Sequence, residues 1–307
     1  MSIGMGRRPL LAVITGPTAS GKTSLAIDIA SHFSTEIVSA DSRQVYADIP
    51  IGTAAPTPGQ LARVRHRLVG FLPLESSYSA ARFEQDALRI LGDIWNKNRL
   101  AVVCGGSMMY IDTLLHGIDP LPDISSQTRE YVLAMLANHG LEGVLAQLRI
   151  CDPEYWQQVD RSNTRRVVHA LEICLQAGRP YSSLRTGQRI ERPFETIRIA
   201  IDHPREELFR RIGLRVESMF RQGLEEEARK ALAKGSYNSL NTVGYKELAA
   251  YFRGEATMDE THAKIARNTR VYAKKQLTWL KRHHDTIWLA PENATTKAIE
   301  AIADRLN

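Results

Sequence analysis

LLAVITGPTASGKT, residues 10–23, joins a β-branched apolar run to a glycine-rich segment that fits the pattern GxxxxGK followed by Ser or Thr. In such a loop, backbone N–H groups between a buried strand and a helix N-terminus surround phosphate oxygens. Lys22 neutralises phosphate charge, and the Thr23 hydroxyl is placed to ligate Mg²⁺. The stretch therefore predicts a buried first strand, a phosphate-binding loop and a helix, in that order.

Four more short runs with β-branched residues follow along the chain, namely TEIVSA, AVVCGG, TIRIAID and TIWLA. Longer segments with helical periodicity separate these runs, and the alternation is typical of a parallel sheet flanked by helices. The sequence therefore predicts an α/β fold, a P-loop-containing parallel sheet flanked by helices.

The interval between AVVCGG and TIRIAID has little strand character and several helical patterns. It opens with a proline-punctuated segment, HGIDPLPDISSQ, and closes with a polar, basic segment, GRPYSSLRTGQRIERPF. We therefore predict a helical insertion domain over residues 117–192. Residues 1–116 and 193–307 together form the predicted P-loop catalytic core.

Bulk composition narrows the class of protein. The 307 residues carry a formal net charge of +6, which suits a polyanionic partner. The cysteines Cys104, Cys151 and Cys174 lie far apart without CxxC spacing, which argues against a disulfide framework or a zinc site. No apolar run approaches the roughly twenty residues that a bilayer span needs, so we predict no membrane contact. We expect a cytoplasmic protein.

Two predicted strand ends carry residues with more than one interpretation. AVVCGG ends in Gly105 and Gly106 and is followed by Ser107, where an NTP-hydrolysing enzyme usually has a carboxylate. This pattern fits either a close approach to a ligand or a tight turn with a capping serine. TEIVSA is followed by Asp41, whose carboxylate suits proton transfer, Mg²⁺ binding or the capping of a helix.

Two helices are predicted after TIRIAID. Residues 205–235 form one long amphipathic helix, with apolar positions Leu208, Ile212, Val216, Met219 and Phe220. Residues 261–284, THAKIARNTRVYAKKQLTWLKRHH, form a second helix with no acidic residue. Its basic residues are Lys264, Arg267, Arg270, Lys274, Lys275, Lys281 and Arg282. We place Tyr272, Trp279 and Trp288 in the core.

Six motifs together carry a resemblance to a known family: GPTASGKT, DSRQVY, GGSMMY, RSNTRRVVHALEI, NTVGYKE and TRVYAKKQLTWLKR. In their order and spacing the sequence resembles the tRNA dimethylallyltransferases, also called tRNA isopentenyltransferases, from about residue 10 to about residue 288. No Cys-x₂-Cys with paired histidines follows Trp288, so the resemblance is to the bacterial type without a zinc finger.

The resemblance implies transfer of a dimethylallyl group from dimethylallyl diphosphate to the exocyclic N6 amine of the adenosine 3′-adjacent to the anticodon in tRNA, releasing diphosphate. By resemblance, Asp41 is the catalytic base and Arg215 stabilises the leaving diphosphate together with Mg²⁺. Ser107 stands where the family usually has threonine, which keeps a hydroxyl at the site. The diphosphate-binding residues are then Gly16, Thr18, Ala19, Ser20, Gly21, Lys22 and Thr23.

The resemblance also implies contacts between the insertion domain and tRNA. Thr164 and His169 stand where proline and arginine are common in the family. For Tyr245 the competing interpretation is core packing. The predicted tRNA-binding residues are Asp41, Ser42, Arg43, Gln44, Ser107, Arg129, Arg165, Arg166, His169, Asn241, Thr242, Gly244, Tyr245 and Lys246. A monomer is sufficient for the implied reaction.

Three other functions compete with this one. A small-molecule kinase also needs a phosphate-binding loop, but it has no use for a basic C-terminal third. A transferase that prenylates free adenosine phosphates would not need the helical insertion and its arginines. A non-catalytic RNA-binding module explains the charge but leaves GPTASGKT and Asp41 without a role.

Overall fold

A computed structural model describes residues 7–307 and contains one six-stranded sheet, in which every neighbouring pair of strands is parallel. The strands are β1 (Leu10–Thr15), β2 (Ile37–Ser39), β3 (His66–Arg67), β4 (Leu100–Gly105), β5 (Glu195–Ile201) and β6 (Thr286–Leu289). Their order across the sheet is β3-β2-β4-β1-β5-β6. The predicted α/β class is confirmed. All five predicted runs form strands, and only the two-residue, polar β3 was missed.

Helices connect the strands and extend the chain beyond the sheet. They are α1 (Lys22–His32), α2 (Pro58–Arg63), α3 (Ala80–Trp95), α4 (Met108–His116), α5 (Ser126–Cys151), α6 (Pro153–Gln158), α7 (Thr164–Ala177), α8 (Tyr181–Leu184), α9 (Arg205–Arg221), α10 (Leu224–Ala233), α11 (Tyr245–Phe252), α12 (Met258–Leu280) and α13 (Ala294–Leu306). None of these helices is long and apolar enough to cross a membrane, within the residues that the structure describes.

Two predicted helices have different limits in the structure. The segment 205–235 is not one helix, because Gly223, with φ of +99°, separates α9 from α10. α12 begins at Met258, three residues before the predicted start, where Thr257 and Glu260 form a capping box. The first turn of α12 therefore contains the acidic residues Asp259 and Glu260, and the predicted basic residues lie after this turn.

The described chain divides into two compact units, the first within Met1–Leu115 and Glu191–Asn307 and the second His116–Ile190. The second unit starts one residue before the predicted insertion and ends two residues before its predicted end. In the first unit, apolar side chains of β1, β4 and β5 pack with those of α1 and α13. β1 is fully buried because it pairs with strands on both sides.

The second unit is helical and has its own core, formed by α5, α6 and α7. α5 is interrupted at Gly140, whose φ is +65°. Buried Asp152 caps α6 by accepting from the Tyr155 amide at 2.9 Å, and it also accepts from the Ser182 amide at 2.6 Å. A buried carboxylate is retained here because these donors satisfy it.

Candidate active site

The loop between β1 and α1 has the tight backbone of a phosphate-binding loop. Gly16, Ala19 and Gly21 have φ values of +149°, +65° and +93°. The carbonyl of Pro17 accepts from the Ser20 amide at 3.3 Å and from Lys22 Nζ at 3.2 Å. Because Ala19 carries a side chain, its left-handed conformation is strained and depends on its surroundings.

Gln276 of α12 joins this loop to the end of β4. Its Oε1 accepts from the Thr18 amide at 2.9 Å, and its Nε2 donates to the carbonyl of Gly106 at 2.8 Å. A Cβ at position 106 would lie 2.3 Å from Gln276 Nε2, so a side chain there would displace the Gln276 amide. The buried amide therefore fixes the distance between two strand ends.

Two more side chains hold the loop from α9 and the segment before it. Arg211 donates from Nε to the carbonyl of Ala19 at 2.8 Å, and His203 Nε2 donates to the carbonyl of Ser20 at 2.9 Å. Ser20 Oγ is buried and has no hydrogen-bond partner within residues 7–307. An unsatisfied buried hydroxyl in such a loop is consistent with a ligand that supplies the partner.

A cavity of about 450 Å³ lies against the loop. Its charged lining residues are Lys22, Arg210, Arg211 and Arg215, and no acidic side chain is found among the described residues that line it. Its apolar lining residues are Pro50, Ile51, Ala54, Ala55, Leu214 and Met219. Such a cavity suits a ligand that combines an anionic group with a short hydrocarbon chain.

The charges of Lys22, Arg215 and Asp41 lie within reach of one another. Burial and then the Arg215 guanidinium lower the pKa of Lys22, while Asp41 opposes this shift. Burial also lowers the pKa of Arg215, and Asp41 again opposes. Two desolvated cations beside one carboxylate hold an excess of positive charge that a bound anion would neutralise.

Asp41 follows β2 in a turn rather than at the start of a helix. Its Oδ1 accepts from the amides of Arg43 at 2.9 Å and Gln44 at 3.3 Å. The helix-capping interpretation of this residue is therefore wrong, because residues 41–45 form a turn. Both hydrogen bonds go to Oδ1, which leaves Oδ2 as the oxygen that can accept a proton.

Ser107 is buried between the ends of β2 and β4. Its Oγ accepts from the Ser42 amide at 2.8 Å and donates to Ser42 Oγ at 3.2 Å. A Cβ at Gly105 would lie 2.1 Å from the carbonyl oxygen of Ala40, so this glycine permits the two strand ends to meet. The close approach at Gly105 is thus to protein atoms, and Ser107 holds the turn that contains Asp41.

Comparisons with known proteins identify the family of the chain. The sequence model of IPP transferase matches residues 44–283. The chain belongs to the IPP transferase family. It is 48% identical to tRNA dimethylallyltransferase 1 of Bacteroides thetaiotaomicron, over 94% of this chain and 93% of that protein. It is 50% identical to tRNA dimethylallyltransferase 1 of Phocaeicola vulgatus, over 93% of this chain and 95% of that protein.

A solved structure of the same family supports the assignment. The tRNA delta(2)-isopentenylpyrophosphate transferase of Staphylococcus epidermidis is 32% identical and has a TM-score of 0.69, covering 98% of this chain and 99% of that one. The family predicted from the sequence is confirmed.

The resemblance to the tRNA dimethylallyltransferases implies a tRNA contact at residues 42–44, and the structure gives all three internal partners, Ser42 through Ser107. Arg43 donates from Nη1 to the carbonyl of Asn238 at 3.0 Å. The Gln44 side-chain amide donates to the carbonyls of Thr53 at 3.2 Å and Ala54 at 3.0 Å. The Gln44 side chain therefore holds the backbone of a neighbouring loop. Contact of Ser42, Arg43 and Gln44 with tRNA stays a prediction.

The segment 241–246 has mixed exposure. Lys246 is exposed, and Asn241 and Thr242 are half-buried, so their contact with tRNA stays a prediction. Gly244 is buried and begins α11 with φ of +99°. Tyr245 is fully buried in an apolar cluster, where its side chain has no access to RNA. The competing interpretation, core packing, is the one that the structure supports for Tyr245.

In the helical unit, the predicted tRNA residues lie on two helices. Arg165 and Arg166 are exposed in the first turn of α7. Arg129 of α5 and His169 of α7 both approach buried Glu172, with N···O distances of 3.6 Å and 3.9 Å. A shared carboxylate orients Arg129 and His169, whereas Arg165 and Arg166 remain open to an anionic partner.

Several site residues were missed in the sequence. Gln276 occupies a buried stripe with Ala273 and Leu280, and a polar residue in such a stripe needs internal partners. Arg211 lies four residues before Arg215, so both are on one face of α9. Tyr272 was placed in the core but is 39% exposed, while Trp279 and Trp288 are half-buried.

Proposed function

We propose that this protein transfers a dimethylallyl group from dimethylallyl diphosphate to the exocyclic N6 amine of the adenosine 3′-adjacent to the anticodon in tRNA. Diphosphate is the other product. The observation that carries the proposal is the cavity at the phosphate-binding loop, which combines Lys22 and Arg215 with an apolar wall. A five-carbon allylic diphosphate has the matching division into an anionic and an apolar part.

The leaving group determines the first requirement of the reaction. The allylic C–O bond breaks and its electron pair stays on the diphosphate oxygen, which gains charge in the transition state. Lys22, Arg215 and the amides of the loop are supported as the groups that stabilise this charge. Because the cations are desolvated before substrate binds, they need little reorganisation when the bond breaks.

The adenine amine determines the second requirement. Its lone pair is delocalised into the ring, so attack on the allylic carbon needs removal of the N6 proton as the new N–C bond forms. Asp41 Oδ2 is the acceptor that we assign, since Oδ1 is held by Arg43 and Gln44. The target base has to leave its stack to reach this carboxylate.

The residues present fit a Mg²⁺ ion bound chiefly through the substrate. Thr23 lines the cavity beside Lys22, and its hydroxyl is the type of hard oxygen donor that Mg²⁺ prefers. No cluster of three or more His, Cys, Asp or Glu side chains in the described part of the chain could hold a metal. When bound by Thr23 and diphosphate, Mg²⁺ supplies further positive charge to the leaving group.

Use of tRNA as the acceptor would explain why exposed basic residues are found on α7 and α12. The exposed arginines of α7 and the basic residues of α12 are proposed to contact the phosphate backbone. A monomer contains every residue assigned here, so we propose that the protein acts as one. Because its substrate is tRNA, we place the protein in the cytoplasm.

The proposal is tested by incubating the protein with Mg²⁺, labelled dimethylallyl diphosphate and either unmodified bulk tRNA or adenosine monophosphate. Label in tRNA alone is expected. Label in the nucleotide alone would assign the protein to the transferases that act on free adenosine phosphates. Label in neither acceptor would overturn the proposal and make ATP consumption, as by a kinase, the next measurement.

A further inference from the structure

The apolar wall of the cavity is formed largely by one loop. We call residues 49–55 the cavity loop, because its members Pro50, Ile51, Ala54 and Ala55 line the cavity. The loop has no regular secondary structure. Its shape therefore depends on the side chains that bind its backbone.

Glu227 of α10 binds two consecutive amides of the cavity loop. Its Oε2 accepts from the Ile51 amide at 2.7 Å, and its Oε1 accepts from the Gly52 amide at 2.8 Å. Hydrogen bonds from backbone N–H groups to a carboxylate are roughly twice as strong as those between neutral groups. One side chain thus fixes the middle of the loop in two places.

Tyr245 orients Glu227 from inside the core. Its hydroxyl donates to Glu227 Oε1 at 2.6 Å, and its side chain is fully buried. Burial and then the charge of Glu227 raise the pKa of Tyr245, so the phenol stays a donor. A Cβ at Gly52 would lie 2.3 Å from the Tyr245 hydroxyl oxygen, which means that the ring packs directly against the loop backbone.

The far side of the cavity loop is held by the turn that contains Asp41. Gln44 donates to the carbonyls of Thr53 and Ala54, and its own amide donates to Asp41 Oδ1. Ala54 has φ of +46°, a strained conformation for a residue with a side chain. The loop is therefore held at Ile51 and Gly52 by Glu227 and at Thr53 and Ala54 by Gln44.

We propose that Glu227, oriented by Tyr245, is a positioning residue that fixes the apolar wall of the cavity and thereby limits the length of the allylic chain accepted. The inference rests on the proposed function. Ile51, Ala54 and Ala55 line the apolar side of the cavity. On this proposal, a wall held in place there favours a five-carbon chain over a ten-carbon one. An apolar pocket discriminates one methylene by roughly 10- to 200-fold, but only while its walls hold their place.

The test uses two variants and a matched control. Glu227→Gln keeps the size of the side chain but cannot accept from both amides and the tyrosine hydroxyl. Tyr245→Phe removes one oxygen atom and keeps the ring, so it preserves the packing of the core. The control is Glu226→Gln on the same helix, because Glu226 is exposed and pairs with surface Arg229 and Lys230.

Each protein is compared in equilibrium binding and in steady-state transfer, with dimethylallyl and geranyl diphosphates as donors and tRNA as acceptor. We expect Glu227→Gln to lower kcat/KM for dimethylallyl diphosphate by roughly 10- to 100-fold. The preference for dimethylallyl over geranyl diphosphate should fall by about tenfold. Tyr245→Phe should lower kcat/KM for dimethylallyl diphosphate and the donor preference as well, but by smaller factors. The KM for tRNA should not change in either variant.

Wild-type or control-like donor preference in both variants would overturn the inference, even if their thermal stability fell. Failure of the proposed function is a separate result, because it appears in the wild-type protein as absence of transfer to tRNA. Binding of the two diphosphates reports on the cavity wall independently of transfer. If Glu227→Gln does not fold, Tyr245→Phe alone decides.

Discussion

At the scale of single residues, Asp41 is the group that we assign as the acceptor of the N6 proton. Asp41→Asn keeps an Oδ1 that accepts from the amides of Arg43 and Gln44, so the turn should persist while the base is lost. We expect the single-turnover rate of transfer to fall by about 10²- to 10⁴-fold, with tRNA affinity unchanged within about twofold. Rapid-quench transfer and filter binding measure the two quantities.

Ser107→Thr is the control for this prediction, because it restores the residue usual in the family and keeps the hydroxyl that binds Ser42. It should transfer the dimethylallyl group at least as fast as the wild type. If Asp41→Asn weakened tRNA binding as much as it slowed transfer, Asp41 would be a binding residue.

The location of a residue in the structure can be predicted from the sequence where a motif fixes the backbone around that residue. Lys22 and Asp41 were placed from the segments that follow β1 and β2, and both lie at the site. Tyr245 was placed at an RNA contact by motif alone, but the structure buries it against Glu227. Whether a tyrosine beside a glycine faces solvent or core depends on which helix packs over it, and local sequence does not contain that information.

At the scale of elements, α12 has a structural task besides its positive charge. Gln276 satisfies the Thr18 amide and the Gly106 carbonyl, so Gln276→Leu leaves two buried polar groups without partners. Each such group costs about 1–3 kcal/mol. We expect a loss of about 2–6 kcal/mol in unfolding free energy and an increase in the KM for dimethylallyl diphosphate. Urea denaturation and steady-state kinetics measure both.

The control for α12 is Thr278→Ala, two residues along the same helix, where an exposed hydroxyl donates to the carbonyl of Lys274 in its own helix. It should leave stability and KM unchanged. A Gln276→Leu protein that was destabilised but kept the wild-type KM would show that the phosphate-binding loop does not need this tether.

The strands and helices could be predicted where the sequence has a clear apolar periodicity and residues that end it. The five apolar runs form β1, β2, β4, β5 and β6, because burial on both faces selects continuous β-branched runs. β3 has only two residues, His66 and Arg67, and pairs with β2 alone, which leaves no periodic signal. The break at Gly223 was missed because apolar spacing continues across it while the backbone does not.

At the scale of the whole molecule, the net charge of +6 matters less than where the exposed cations lie. Arg165→Ala with Arg166→Ala removes two exposed arginines from the first turn of α7. Lys230→Ala with Lys297→Ala removes two exposed lysines that pair with surface glutamates. Both double variants change the net charge from +6 to +4, since 6 − 2 = 4, so they are matched in total charge and lose it at different places.

If tRNA binds the arginines through its phosphates, each lost contact makes the negative slope of log K against log salt shallower by about one. The arginine variant should therefore bind tRNA on the order of tenfold more weakly at moderate salt, with a slope that is shallower by about two. The lysine variant should keep the wild-type affinity and slope. Titrations at several salt concentrations measure both, and equal effects in the two variants would mean that tRNA responds to total charge and that α7 makes no phosphate contact.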